Sequence, residues 1–132
     1  MEQIVYISTA RALPDGEMLA SILSASRRNN LRDGLSGLLV VGGRRFLQLL
    51  EGPAEACERA YARIREDDRH FALVELGRKS ITRCTFASWE MGFEQASDDN
   101  LEAMVDRLVA HVDDPSIAAQ FRSFAQLHST AA

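Results

Sequence analysis

The chain has 132 residues, 46% hydrophobic and 26% charged, which suits one soluble domain with its own core and is too short for two. A formal net charge of −4 and a pI near 5.3 disfavour nucleic-acid binding through phosphates, and no stretch approaches the roughly 20 apolar residues that a bilayer span needs. Cys57 and Cys84 are far apart and show no zinc spacing, and the N-terminus lacks the basic start and long apolar run of a signal peptide, so a reducing, cytoplasmic setting is expected.

"QIVYIST" (Gln3 to Thr9) is rich in β-branched and aromatic residues and reads as a strand. Pro14, Asp15 and Gly16 then open a helix, with Met18, Leu19, Ile22, Leu23 and Ser26 at helical spacing and an expected end at Arg27-Arg28-Asn29-Asn30. "GLSGLLVV" (Gly34 to Val41) is a second strand, Gly42-Gly43 a two-residue turn, and "RRFLQLLEG" the third strand of a hairpin. Gly52-Pro53 stops it. Ala54, Cys57, Tyr61 and Ile64 mark a second helix that ends in the charged run from Arg65 to Arg69. "HFALVELGRK" and "CTFASWEMGFE" are two further strands.

The order β-α-β-β-α-β-β fits an α+β, ferredoxin-like split βαβ sheet with two helices on one face. The hairpin pairs antiparallel, and each helical crossover allows its strands to pair in parallel. In the tail, Ser97 or Asp98 caps a helix with the stripe Leu101, Met104, Val105, Leu108 and Val112. Asp113-Asp114-Pro115 ends it and starts another, with Ile117, Phe121, Phe124 and Leu127 as its stripe. Residues 1–95 thus read as one domain and 96–132 as a helical extension that packs on the sheet or mediates output or oligomerisation. Strand parity puts Ile4, Tyr6 and Ser8 on one face and Val5 and Ile7 on the other. Phe46, Gln48 and Leu50 likewise oppose Leu47 and Leu49. Both faces carry apolar residues, so both need cover. Two helices supply one cover; the tail or a second subunit must supply the other.

Several residues on this sheet have ordinary explanations when taken singly. A strand Tyr is usually core with its hydroxyl at the edge, paired Asn residues after a helix are usually caps, and a Trp and a Met on a strand usually pack. Gln48 is the exception: its amide lies in a leucine-rich strand, where leaving it unpaired would cost roughly 1–3 kcal/mol. Together the motifs form a pattern: Tyr6 in "VYIST", Asn29-Asn30 near the helix end, "GLSGLLVVGGRRFLQLLEGP", "RIREDDRH" (Arg63 to His70) and "SWEMGF" (Ser88 to Phe93). This closely resembles the BLUF domain, a blue-light sensor using FAD, over about residues 1 to 95. Ser36 stands where that family often has Thr.

The resemblance implies a flavin ring between the two main helices, over the sheet. Tyr6 and Gln48 would sit beside its N5 and O4 edge and Asn30 on the O4/N3 side. Asn29 and Arg69 would lie near the O2 side or its approach. Ile22, Leu23, Leu39, Phe46 and Ile64 would be apolar walls. His70 belongs to the motif, with an ordinary strand-start contact as its other reading. Tyr6 would donate an electron and a proton, and Gln48 would rearrange, giving a red-shifted state without turnover of a substrate. Trp89 and Met91 would relay the change toward the tail. The implied protein is a cytoplasmic photoreceptor, not an enzyme, acting on a separate partner protein or its own oligomer, a dimer or larger, with no role for nucleic acid or membrane. Other functions of such folds are weaker. A hydrolase needs a phosphate cradle or activated nucleophile that does not assemble here, and an RNA-binding sheet needs an aromatic RNP run. A light-independent ferredoxin-like interaction module is the alternative.

Overall fold

The computed structural model describes residues 1–12, 15–42, 44–84, 92–96, 101–110, 112 and 114–128. The β-branched opening forms strand β1, Glu2–Ala10. Helix α1, Gly16–Asp33, is capped by Asp15, whose carboxylate accepts a hydrogen bond from the Met18 N–H at 2.7 Å. It runs past the expected end. Asn29 and Asn30 are on its last turns, and Gly34, at φ 71°, terminates it by donating its N–H to the Asn30 carbonyl. The left-handed conformation that closes a helix favours glycine, so the stop lies at the first Gly rather than at the Arg-Asn run.

Strands β2 (Ser36–Gly42) and β3 (Arg45–Gly52) form the hairpin. Gly42 pairs with Arg45, so it belongs to the ladder and the reversal comes one residue later than the expected Gly42-Gly43 turn. Helix α2 spans Ala54–Glu66 and strand β4 His70–Ser80. Of the last expected strand, β5 is described as Gly92–Ala96; residues 85–91, and with them Trp89 and Met91, lie outside the described residues. Helices α3 (Leu101–Val109) and α4 (Pro115–His128) follow. The expected caps Ser97 and Asp98 are outside the description; at α4, Asp114 precedes Pro115 and accepts the Ser116 N–H at 2.9 Å.

The sheet has the order β4-β1-β3-β2-β5. This is the ferredoxin-like arrangement, with one correction to the expected pairing. Strands joined by a helical crossover do not pair: β3 lies between β1 and β2, and β1 between β3 and β4, all antiparallel to their neighbours. The parallel pair is β2 with β5.

Parity separates two cores. Ile4, Tyr6, Leu39, Phe46 and Leu50 face α1 and α2, where Leu19, Leu23, Ala56 and Tyr61 meet them. Val5, Leu38, Val40, Leu47 and Leu49 face the tail, where Val105 of α3 and Ile117, Phe121 and Phe124 of α4 close over them. One polar pair interrupts this second face: Gln3 Nε2 donates to Glu51 Oε2 at 3.0 Å, with Glu51 fully buried. Phe121 is 1% exposed at the centre of the tail-side core. Phe121→Ala is expected to cost about 3–5 kcal/mol in urea unfolding; a loss below about 1 kcal/mol would mean that α4 does not hold this face.

A buried tyrosine–glutamine pair in a cleft between two helices

The antiparallel register of β1 and β3 sets Tyr6 directly across from Gln48, and that of β2 and β3 sets Leu39 on the other side of Gln48. All three side chains point to the face beneath α1 and α2. Cross-strand neighbours on one face stand close enough to touch, and the Tyr6 hydroxyl donates to Gln48 Oε1. Both are buried, Tyr6 at 1% and Gln48 at 8% exposure.

Above this pair, α1 and α2 leave a cleft of about 810 Å³, including its part open to solvent. Its floor includes Tyr6, Gln48, Leu39 and Phe46, and its walls include Ile22 from α1 and Ile64 from α2. Asn29 and Asn30 border it from α1, and Arg69 and His70 from the segment after α2. Ten of the eleven candidate binding residues are therefore brought together. Leu23 is not among them: it is turned into the core with Leu19. A step of one residue rotates a helical side chain by about 100°, which carries Leu23 from the cleft side to the core side of α1. Helical spacing also brings in Ala25, Ser26, Ala60 and Arg63, which the sequence reading did not assign to the site. Starting from Ile22, the i+3, i+4 and i+7 positions are Ala25, Ser26 and Asn29, and all of them line the cleft. On α2 the corresponding set is Ala60, Arg63 and Ile64.

The polar rim is tied across the two helices. Arg69 Nε donates to Asp67 Oδ1 at 3.0 Å, and its Nη1 reaches Ser21 Oγ of α1 at 3.5 Å. Arg63 of α2 meets Asp33 of α1 at 3.5 Å. The hydrogen bonds from Arg69 hold the Asp67 carboxyl below its ordinary value. His70 is fixed at both ring nitrogens, with Nε2 2.6 Å from the Ile64 carbonyl and Nδ1 2.7 Å from Ser8 Oγ. A carbonyl only accepts, so Nε2 carries a proton. In the neutral ring the Ser8 hydroxyl then donates to Nδ1. His70 therefore fastens the end of α2 to β1.

The lining combines apolar side chains from both helices and the sheet with the carboxamides of Asn29, Asn30 and Gln48, which both donate and accept. Among the described residues no cluster of His, Cys, Asp and Glu could hold a metal ion, and no helix is long and apolar enough to cross a membrane.

Burial pushes the Tyr6 phenol well above its ordinary value of 10.0, with the nearby Tyr61 and Asp67 adding to the effect. Tyr61 is also raised, by burial first and then by Glu75. The folded chain thus holds the neutral phenols more tightly than the unfolded chain does. The associated stability is complete below about pH 10 and is lost as pH rises beyond it. Alkaline titration of the tyrosinate absorbance is expected to begin with Tyr61, so that Tyr6→Phe removes only the later step. Loss of the earlier step instead would place the Tyr6 phenol in water.

Known proteins resemble this chain in sequence and in fold. The family model described as "BLUF: Sensors of blue-light using FAD" matches residues 1–92. The chain is 34% identical over 73 residues to the "Blue light- and temperature-regulated antirepressor BluF" of Escherichia coli (strain K12), a match over 55% of this chain and 18% of that protein. It is 36% identical over 67 residues to the "Photoactivated adenylate cyclase subunit beta" of Euglena gracilis, over 51% of this chain and 8% of that protein. The chain thus spans under a fifth of the length of these curated relatives. Among solved structures, "BlrB - a BLUF protein, dark state structure" superimposes with a TM-score of 0.74 at 29% identity, covering 96% of each chain. "BlsA photo-activated state" does so with a TM-score of 0.73 at 26% identity, covering 99% of this chain and 95% of that one.

Proposed function

The chain belongs to the BLUF family of blue-light sensors, and on that premise we propose that its cleft holds a flavin, FAD in the cell, beside Tyr6 and Gln48. One observation carries the reading: a buried phenol donates its hydrogen bond to a buried carboxamide oxygen on the floor of the cleft. Ile22, Leu39, Phe46 and Ile64 would pack on the ring faces. Asn29 and Asn30 would serve its polar edge, with Arg69 at the approach. Leu23 supports the wall from behind. His70 sets the distance between α2 and β1 rather than meeting the ring.

Under blue light, a bound flavin supplies an oxidant able to take one electron from a nearby side chain. Tyr6 is a suitable donor because a tyrosine that has lost an electron also releases its phenolic proton readily. Burial keeps Tyr6 protonated until then. Its hydrogen bond gives the proton a route to Gln48 Oε1. With a flavin held there, return of the electron and proton would restore Tyr6 and would leave the Gln48 carboxamide in a new orientation or tautomer, read as a red-shifted absorption. Leucine at 48 could neither relay the proton nor rearrange.

The output is small in energy. One or two exchanged hydrogen bonds are worth about 1–3 kcal/mol, enough to change a partner's affinity by about 5–150-fold. We therefore read these residues as a cytoplasmic sensor acting through a separate protein or its own oligomer, with Trp89 and Met91 as relays toward the tail, and not as an enzyme. The purified chain is expected to be yellow and to shift its absorption under blue light. Tyr6→Phe and Gln48→Leu should each keep the flavin and abolish the shift. A colourless chain after reconstitution would overturn this function and leave a light-independent interaction module, whereas a normal photocycle in either variant would overturn the roles given to Tyr6 and Gln48.

A further inference from the structure

Strand β4 does not run evenly along β1. Val5 pairs with Gly77 and Tyr6 with Glu75, so Leu76 is an extra residue on β4. A bulge locally disrupts the ladder. Here the Leu76 carbonyl accepts a hydrogen bond from Gln120 Nε2 at 3.3 Å. Gln120 belongs to α4, on the side of the sheet away from the cleft. Gly77 allows the approach: a Cβ at that position would stand 3.3 Å from the same nitrogen. A second irregularity falls between Ile7 and Thr9, where β4 carries Ala72 at φ 54°. The two bulges bracket the regular pairs Tyr6–Glu75 and Ile7–Val74.

Beside this contact, an apolar groove of about 570 Å³, including its part open to solvent, is bordered by Ile7 and Leu76 of the sheet and by Ser123 and Phe124 of α4. At the start of α4, Lys79 and Asp114 form a partly exposed ion pair, an interaction of little weight in water.

We propose that Gln120 is a positioning residue for Tyr6, and that its contact with the β4 bulge is how α4 registers the state of the cleft. The inference rests on the photosensor reading above and adds a route on the β4 side, distinct from the strand that holds Trp89 and Met91. Strand β3 is held between two neighbours, whereas β4 is an edge strand paired with β1 alone. When Gln48 rearranges and the Tyr6 ring adjusts, β4 is the partner free to move. Its bulge, one residue from the Tyr6 pair, carries the displacement to Gln120. Coupling between two sites is reciprocal, so the same contact sets the dark geometry of Tyr6.

The test uses the full chain loaded with FAD. Gln120→Glu keeps the size and removes the donor; Gln120→Arg supplies a donor again; Gly77→Ala crowds the same nitrogen from β4. The readouts are the dark decay of the absorption shift and light-minus-dark amide exchange over Pro115–His128. Exchange at Leu76 and Gly77 in the flavin-free chain kept dark is the third. Gln120→Glu and Gly77→Ala are expected to change the decay rate by about 2- to 12-fold, the range of one hydrogen bond. They should also shrink the light–dark difference in α4 and speed exchange at the bulge, and Gln120→Arg should restore all three. If Gln120→Glu fails to fold, Gly77→Ala carries the same comparison. Unchanged decay and exchange in variants that still shift would overturn the inference alone, as would equal effects of Glu and Arg. A wild-type chain with no shift would overturn the photosensor reading and this inference with it.

Discussion

The register between β1 and β3 is the constraint on which the site depends. A slip by one residue would turn Gln48 to the tail side and separate it from Tyr6. Alternation of polar and apolar residues does not enforce this register, because β2 and β3 are apolar on both faces. A polar pair does so from behind. Gln3 faces Glu51 three residues along the same ladder, on the opposite face. A slip by one residue would set Glu51 opposite Glu2 or Ile4 in place of Gln3, and a buried polar group without its partner is costly. A buried polar pair commonly contributes more to register than to net stability. The Gln3–Glu51 contact thus guards the Tyr6–Gln48 contact through the sheet.

The two helices complete the site by what they leave open. Ile22, Ala25, Ser26 and Asn29 make a stripe of modest size along α1, while Leu19 and Leu23 fill the core beside it. Arg69 and Arg63 then tether the helices at the rim without filling the space between them. The cleft is therefore a product of residue size at helical spacing, framed by two long side chains and by the His70 clamp at the end of α2.

Much of this was legible before any coordinates. Strand parity separated the two faces correctly because its period of two does not depend on tertiary context. Gln48 was marked by its solvation, as a polar side chain among leucines. What escaped had physical reasons. The length of α1 was misread because a helix ends where the backbone can adopt a left-handed turn, at Gly34, and charged or amide residues are only weaker markers. The resemblance placed Leu23 on an apolar wall; in the structure it joins Leu19 in the core, because rotation about the helix axis decides which side of α1 it faces. The parallel contact of β2 with β5 follows from assembly of the whole sheet and has no local signature. The bulge at Leu76 had one cue, Gly77, since a glycine inside a strand often marks a bulge; the irregularity at Ala72 had none.

Two-sided burial of the central strands has a consequence for descent. Along β1, β2 and β3, alternate codons serve different masters: Leu39 and Gln48 answer to the cleft, Leu38 and Leu49 to the tail helices. Most substitutions on one parity answer to a different neighbour from those on the other, but the Gln3–Glu51 pair and the Gln120 contact tie the tail side to the cleft side. A sheet that is a single wall in space is inherited as two surfaces, stitched together at a few residues.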